Sequence, residues 1–400
     1  ILRMNSHFCR KPVNSLIFEA VMYERKLLPN ITEQLYQGRV IIIHGARRVG
    51  KTTLSKQILA REKERKAAYF NAELLPVFQS FSTTDPILLK QAIGDANLIV
   101  IDGAQHIPNM GLSLKILVDT YPEIQIIATG SCSFDLANKA GEPLVGRARY
   151  FHLNPLAISE ISDSYVEQLS LIEQMMIYGG YPTVLGLGAA RDAILELDTL
   201  VGCYLYKDIL AFENLKHSDR LVNLLQLLAF QIGSEVSYNE LGTTLGMDRH
   251  TVMRYIDLLE KCFVIFRLGA LSKNKRKEIS KNNKIYFYDL GIRNSLIRNF
   301  NGLKLRSDLG GLWENFCILE RLKRNTFAGH RPNTYFWRHY GGQEVDYVEE
   351  YGGAFHGYEF KYNAKAKTKN HIFFAESYSD TIEVINSQNI LSDFLAFPPS

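Results

Sequence analysis

The sequence lacks the features of a secreted or membrane-bound protein. Its five cysteines, Cys9, Cys132, Cys203, Cys262 and Cys317, are scattered, odd in number and never spaced C-x-x-C. That argues against a disulfide framework or a thiolate zinc site and for a reducing compartment. No apolar run reaches membrane-spanning length and no signal-peptide pattern opens the chain, so a cytoplasmic protein with no membrane partner is expected. Charge of one sign is also scarce: 46 Lys and Arg against 42 Asp and Glu leave +4. This permits a nucleic-acid partner without arguing for one. Apolar residues, in contrast, make up 46% of 400 positions, enough for two or three cores.

The clearest signal is RVIIIHGARRVGKTTL, residues 39–54. A β-branched run breaks at Gly45, and a helical pattern starts near Gly50. Gly45, Ala46, Arg47, Arg48, Val49, Gly50, Lys51 and Thr52 fit G-x-x-x-x-G-K-[ST], with Thr53 following. Glycines let such a loop curl its N–H groups onto phosphate oxygens, and the helix that follows turns its positive end on the same anion. Lys51 would reach the β- and γ-phosphates of ATP, and the Thr52 hydroxyl would hold Mg²⁺. LIVID, residues 98–102, is a second apolar strand ending in Asp102, a Walker B pattern and the second expected metal ligand. With AAYFNAE and IQIIATGS, these runs alternate with helical patterns, which predicts a parallel sheet covered on both faces.

The expected fold is α/β, in five parts. Residues 1–38 are a helical lead-in, 39–150 a P-loop NTPase parallel sheet, and 151–216 a helical lid. Residues 217–285 read as a winged helix: DRLVNLLQLLAFQIG, then SYNELGTTLGM with Ser237 as N-cap and Glu240 three residues on, then DRHTVMRYIDLLEKC. Met247, Val252, Ile256 and Leu259 should face inward, leaving Arg249, His250, Thr251 and Arg254 outward. Between the wing strands lies the basic run KNKRKEISKNNK. DNA contact and protein contact both fit this unit.

Residues 286–400 read as a PD-(D/E)xK nuclease-like α/β domain. A helix carries Glu314, Asp346 ends one strand, and Glu359-x-Lys361 lies in the next, on one face by the period of two. Asp346 and Glu359, with Glu314, would bind Mg²⁺ for phosphodiester cleavage and Lys361 would position water. An ordinary cross-strand ion pair explains the same letters.

IDGAQHIP, TGSCS, VGRARYFHLNPL and YGGYP follow GARRVGKTT in order, and LYKDIL, KIYFYDLGI, LWENF, EVDYV and YEFK come later. In these segments, spread over nearly the whole chain, the protein resembles a prokaryotic family of AAA+ superfamily ATPases. Those proteins carry a winged helix and a restriction-endonuclease-like domain. The resemblance implies that Ser131 or Thr129 senses the γ-phosphate. It also implies that Arg147 contacts phosphate, in cis or from a neighbouring copy in a homo-oligomer, and that Tyr206, Lys207 and Asp208 form a basic-acidic helix pair. One departure stands out: the family's glutamate after the Walker B aspartate is Gly103 here. A glycine cannot polarise water. Another group could position the water, the chain could be a switch that binds without turnover, or the residue could be a substitution in an ordinary enzyme. Glu73, at the end of AAYFNAE, is the nearest alternative acid by topology.

Overall fold

Helical and extended stretches alternate through the first third of the chain because apolar β-branched runs are separated by amphipathic ones. The computed structural model describes residues 23–131, 144–204, 218–272, 283–339, 342–366, 372–378 and 382–396. In order come α1 (Leu28–Thr32), β1 (Val40–His44), α2 (Lys51–Arg61), β2 (Ala67–Asn71), α3 (Leu75–Phe81), α4 (Pro86–Ile93), β3 (Leu98–Asp102), α5 (Met110–Thr120), β4 (Gln125–Gly130) and β5 (Ala148–His152). The five strands are parallel, in the order β2-β3-β4-β1-β5. Val40–Ile43, Leu98–Ile101 and Ile126–Ala128 are buried, as strands covered on both faces must be.

The sequence reading differs from this sheet in four places. The lead-in contributes one short helix, α1, among the described residues. The Pro-containing stretch after β2 is two helices, α3 and α4, each with proline in its first turn. β5 has a half-exposed pattern that no apolar run announced. Glu73 lies two residues beyond the end of β2 rather than in it.

Next come α6 (Ile158–Ile161), α7 (Tyr165–Tyr178), α8 (Pro182–Leu185), α9 (Ala190–Tyr204), α10 (Ser218–Phe230), β6 (Glu235–Val236), α11 (Tyr238–Leu245), α12 (Arg249–Lys261), β7 (Ile265–Ala270) and β8 (Asn283–Phe287). The Ser237 hydroxyl caps α11 by accepting from Glu240 N–H, and Gly246 turns the chain in the left-handed region. Met247, Val252, Ile256 and Leu259 are buried, while Arg249, His250 and Arg254 are exposed. LYKDIL, Cys9, Cys132 and residues 273–282 of the basic run lie outside the described residues.

The remainder is α13 (Leu290–Leu296), α14 (Leu309–Phe327), β9 (Asn333–Arg338), β10 (Glu344–Tyr351), β11 (Ala354–Phe360), α15 (Ile372–Tyr378) and β12 (Ile382–Ile385). Asp346 is the third residue of β10, inside the strand rather than at its end. The second sheet runs β12-β11-β10-β9-β7-β8-β6. It crosses the expected boundary at residue 285: β7 pairs with β9 through Gly269–Tyr335 and Ala270–Phe336, and Leu271 N–H donates to the Phe336 carbonyl at 2.7 Å. The hairpin of residues 217–285 and the strands of residues 286–400 are therefore one sheet. No described helix is long and apolar enough to cross a membrane.

Every residue of α13 is buried, and its polar groups are spent on neighbouring helices. Asn294 donates to the Met176 and Ile177 carbonyls of α7, Arg293 to the Ala229 carbonyl of α10, and Ser295 to Asp198 of α9. Asp289 caps α13 by accepting from Ile292 N–H, and its other oxygen accepts from Gly180 N–H at 2.7 Å. Burial outweighs these bonds and pushes the Asp289 carboxyl up to about 6. The folded value lies above the unfolded 3.8, so its favourable contribution is complete below 3.8 and is lost as pH rises through 6. That window is worth about 3 kcal/mol at 1.36 kcal/mol per unit. Urea melts from pH 3.5 to 7 should show this decline, and Asp289→Asn should flatten it.

Candidate nucleotide-binding site

The carboxyl ends of β1, β3 and β4 open into a cleft of about 450 Å³ lined by Arg47, Arg48, Lys51, Thr52, Asp102 and Ser131, among others. Gly45 enters the loop where a Cβ would stand 2.2 Å from the Leu153 carbonyl oxygen. Close backbone approach, as well as the curl of the loop, thus demands glycine there. Ala46 and Val49 are buried beneath the loop, and Thr53 is exposed on α2. Arg48 ties the loop to α9 through Glu196 at 2.8 Å. The Lys51 ammonium donates to the Gly45 and Ala46 carbonyls at 2.8 and 2.7 Å, curled back on its own loop.

Asp102 is the hub. One carboxylate oxygen accepts from the Thr52 hydroxyl at 2.7 Å and the Tyr69 hydroxyl at 2.5 Å, and the other accepts from Thr129. Burial raises its pKa, but the Thr129, Tyr69 and Thr52 hydroxyls and the Lys51 ammonium outweigh burial and hold the carboxyl below its usual range. Asp102 is thus a carboxylate at neutral pH. Tyr69 is a site residue that the sequence reading missed; Lys56 lies over its ring at 5.0 Å.

Gly103 has φ +75, and a Cβ there would stand 3.3 Å from His106 Cδ2. A glutamate at this position would need a left-handed backbone that costs an L-residue roughly 1–2 kcal/mol. The local chain is therefore shaped for glycine. Glu73 lines the cleft but is 68% exposed, 3.7 Å from His106 Nε2. Ser131 is buried and accepts from Gln105 Nε2 at 3.3 Å, and the Thr129 hydroxyl accepts from Gly103 N–H.

Arg147 corrects an expectation. Its carbonyl accepts from Val40 N–H at the start of β1, and its guanidinium pairs with Asp119 at 2.6 Å. The phosphate loop leaves the other end of β1, roughly 13 Å along the strand. The side chain does not reach the phosphate pocket of its own chain.

Behind the loop lies a group that no motif announced. Arg25 is buried, and its guanidinium donates to the Val49 carbonyl at 2.7 Å, the Asn154 carbonyl at 2.6 Å and Glu160 at 3.0 Å. Beside the loop His44 and His152 stack on Phe263, which follows α12; burial and the Lys51 charge lower these imidazoles to about 4 and 3.

The C-terminal carboxylates do not meet as a metal cage. Glu314 accepts from Lys284 at 2.9 Å and Tyr286 at 2.5 Å, both on β8, and Lys284 also pairs with Glu344 at 2.6 Å. Asp346 accepts from Phe360 N–H, and Glu359 pairs with Lys361 at 2.9 Å, the same-face contact that the period of two predicts. Burial and the Asp346 charge push Glu314 up to about 7 against the pull of Lys284. Burial opposes the charge on Lys284, but Glu314, Glu344 and Asp346 outweigh it and keep the ammonium protonated. Among the described residues no group of three His, Cys, Asp or Glu side chains could hold a metal ion.

An AAA domain model matches residues 37–162, and two domains of unknown function, DUF8612 and DUF4143, match residues 169–303 and 309–392. An uncharacterized Mycobacterium tuberculosis protein, Rv2008c, is 29% identical over 341 residues, 84% of this chain and 73% of that one. An uncharacterized protein of Methanocaldococcus jannaschii, MJ1637, is 27% identical over 296 residues, 64% of this chain and 62% of that one. The Walker-type ATPase PABY2304 of Pyrococcus abyssi superposes with a TM-score of 0.46 at 17% identity, over 69% of this chain and 96% of that one. Residues 37–162, which carry the phosphate loop and Asp102, are thus similar to an AAA domain in sequence and hold the loop and carboxylate geometry of a P-loop nucleotide site.

Proposed function

We propose that the chain binds and hydrolyses ATP at this cleft, and that nucleotide state governs contact with DNA through a winged helix. The observation that carries the reading is the Thr52 hydroxyl 2.7 Å from a deprotonated Asp102 beside Lys51, at the mouth of a parallel sheet. The donor set fits magnesium, which takes hard oxygen ligands and needs only one or two carboxylates beside substrate phosphates. Thr52 and Asp102 would hold it, and bound there it would offset charge on the β- and γ-phosphate oxygens. Lys51 would trade its two loop carbonyls for the same oxygens, and loop N–H groups would cradle the rest.

The DNA part draws on the exposed Arg249, His250 and Arg254 of α12, since an outward basic helix face suits phosphate contact. For the C-terminal domain we favour a nuclease-like fold that does not cut. The Lys284 ammonium already takes Glu314 and Glu344, leaving Asp346 and Glu359 to be tested as ligands.

Calorimetric titration with ATP and magnesium tests the core claim. Lys51→Ala should weaken binding about 10- to 150-fold, the worth of hydrogen bonds to a charged group. Unchanged affinity in the variant, or none in the wild type, removes the reading. In a parallel arm, duplex DNA affinity should differ between ATP and ADP and fall steeply with salt.

A further inference from the structure

We propose that Gln105 orients the attacking water in ATP hydrolysis, doing by hydrogen bonding what the absent acid at position 103 cannot. The proposal rests on the ATPase reading above and deepens it. Gly103 opens a short 3-10 turn, Ala104–His106, which swings the chain back over the cleft. Within that turn Ala104 is buried and Gln105 lines the cleft with Lys51, Thr52 and Asp102. One end of its amide donates to Ser131 at 3.3 Å, at the end of β4. The other end, Oε1, is buried with no hydrogen-bond partner among the described residues. An acceptor left so is costly, and such orphans mark groups held ready for a partner.

Position favours Gln105 over Glu73. In the order β2-β3-β4-β1, the loop strand β1 touches β4, the strand to which Gln105 is bonded. Glu73 follows β2, three strand spacings or roughly 14 Å from β1. It stands at the cleft mouth, turned to His106 and solvent. An amide is too weak a base to take a proton, but a loose phosphoryl-transfer transition state needs the water placed more than deprotonated. Turned from its buried position into the cleft, the Gln105 oxygen would accept one water hydrogen, the water oxygen would bond to the γ-phosphorus as the bridge to ADP breaks, and the proton would leave on the phosphate released. Ser131 would fix the amide by its own bond, making Ser131 a positioning residue.

The test is phosphate release as a function of ATP concentration, alongside calorimetric ATP affinity, for the wild type, Gln105→Ala, Gln105→Glu and Glu73→Ala. Gln105→Ala should lower kcat about 100-fold, with KM and ATP affinity within about threefold. Gln105→Glu, which keeps an acceptor oxygen, should recover most of that loss, which a merely structural role would not predict. Three results overturn the proposal: an unchanged kcat in Gln105→Ala, a larger loss in Glu73→Ala, or a wild type that binds ATP and releases no phosphate. Failure of the parent reading looks different, because the wild type would then not bind ATP at all.

Discussion

Lys284→Ala should destabilise the chain by about 3–5 kcal/mol, the cost of breaking a buried ion pair from one side. The Lys284 side chain is 3% exposed and holds Glu314 and Glu344 at 2.9 and 2.6 Å. Without the ammonium, the buried Glu314 and the half-buried Asp346 are left as neighbouring acids with no cation between them. Lys284→Met keeps most of the volume and separates charge from packing. In that variant Glu314 loses its lowering partner, so its folded pKa climbs further above the unfolded 4.5. A raised carboxyl stabilises only at low pH, so the deficit against wild type should be smaller at pH 5 than at pH 8. Urea melts at the two pH values decide. A loss under about 1 kcal/mol would place the pair among solvent-screened ones. Magnesium-dependent plasmid cleavage that Asp346→Ala abolishes would restore the cutting role.

Arg25→Ala should cost a similar amount, about 3–5 kcal/mol, and should also weaken ATP binding. Glu160, whose side chain is fully buried, would keep only backbone partners, the N–H groups of Lys26 and Ala157. The Val49 carbonyl would lose the donor that holds the phosphate loop from behind. Arg25→Lys should not rescue either effect, because one ammonium cannot reproduce three bonds spread over a planar fork. Denaturant melts read the first effect and calorimetry the second. Full stability in Arg25→Ala would mean that Glu160 finds another partner.

The loop and Walker B strand were legible because they depend on local rules. The spacing from Gly45 to Thr52 and the apolar run into Asp102 each carry their meaning within a dozen residues. The partners of those groups were not, because they come from distant chain. Tyr69 reads as one aromatic in a strand, and only the pairing of β2 with β3 brings its hydroxyl to Asp102. Arg25 sits in a lead-in with no motif, and its three acceptors lie up to 135 residues away. Lys284 did leave a trace: with Tyr286 it shares one face of β8 by the period of two, and both reach Glu314. The basic run that ends with it reads instead as a wing open to DNA or protein contact. The C-terminal letters Asp346 and Glu359-x-Lys361 fixed a strand face correctly, but a strand face does not reveal which cation stands before it.

The seam between β7 and β9 has a consequence for how the polypeptide can be divided. The domain boundary expected at residue 285 from the helix and strand patterns would, if cut, leave Gly269 and Ala270 with bare amides and carbonyls along an exposed margin. Such margins recruit strands from other molecules. The two halves are thus bound to be made, kept and discarded together, and a truncated fragment carrying the hairpin alone would behave as a seed for clumping rather than as a miniature of the whole.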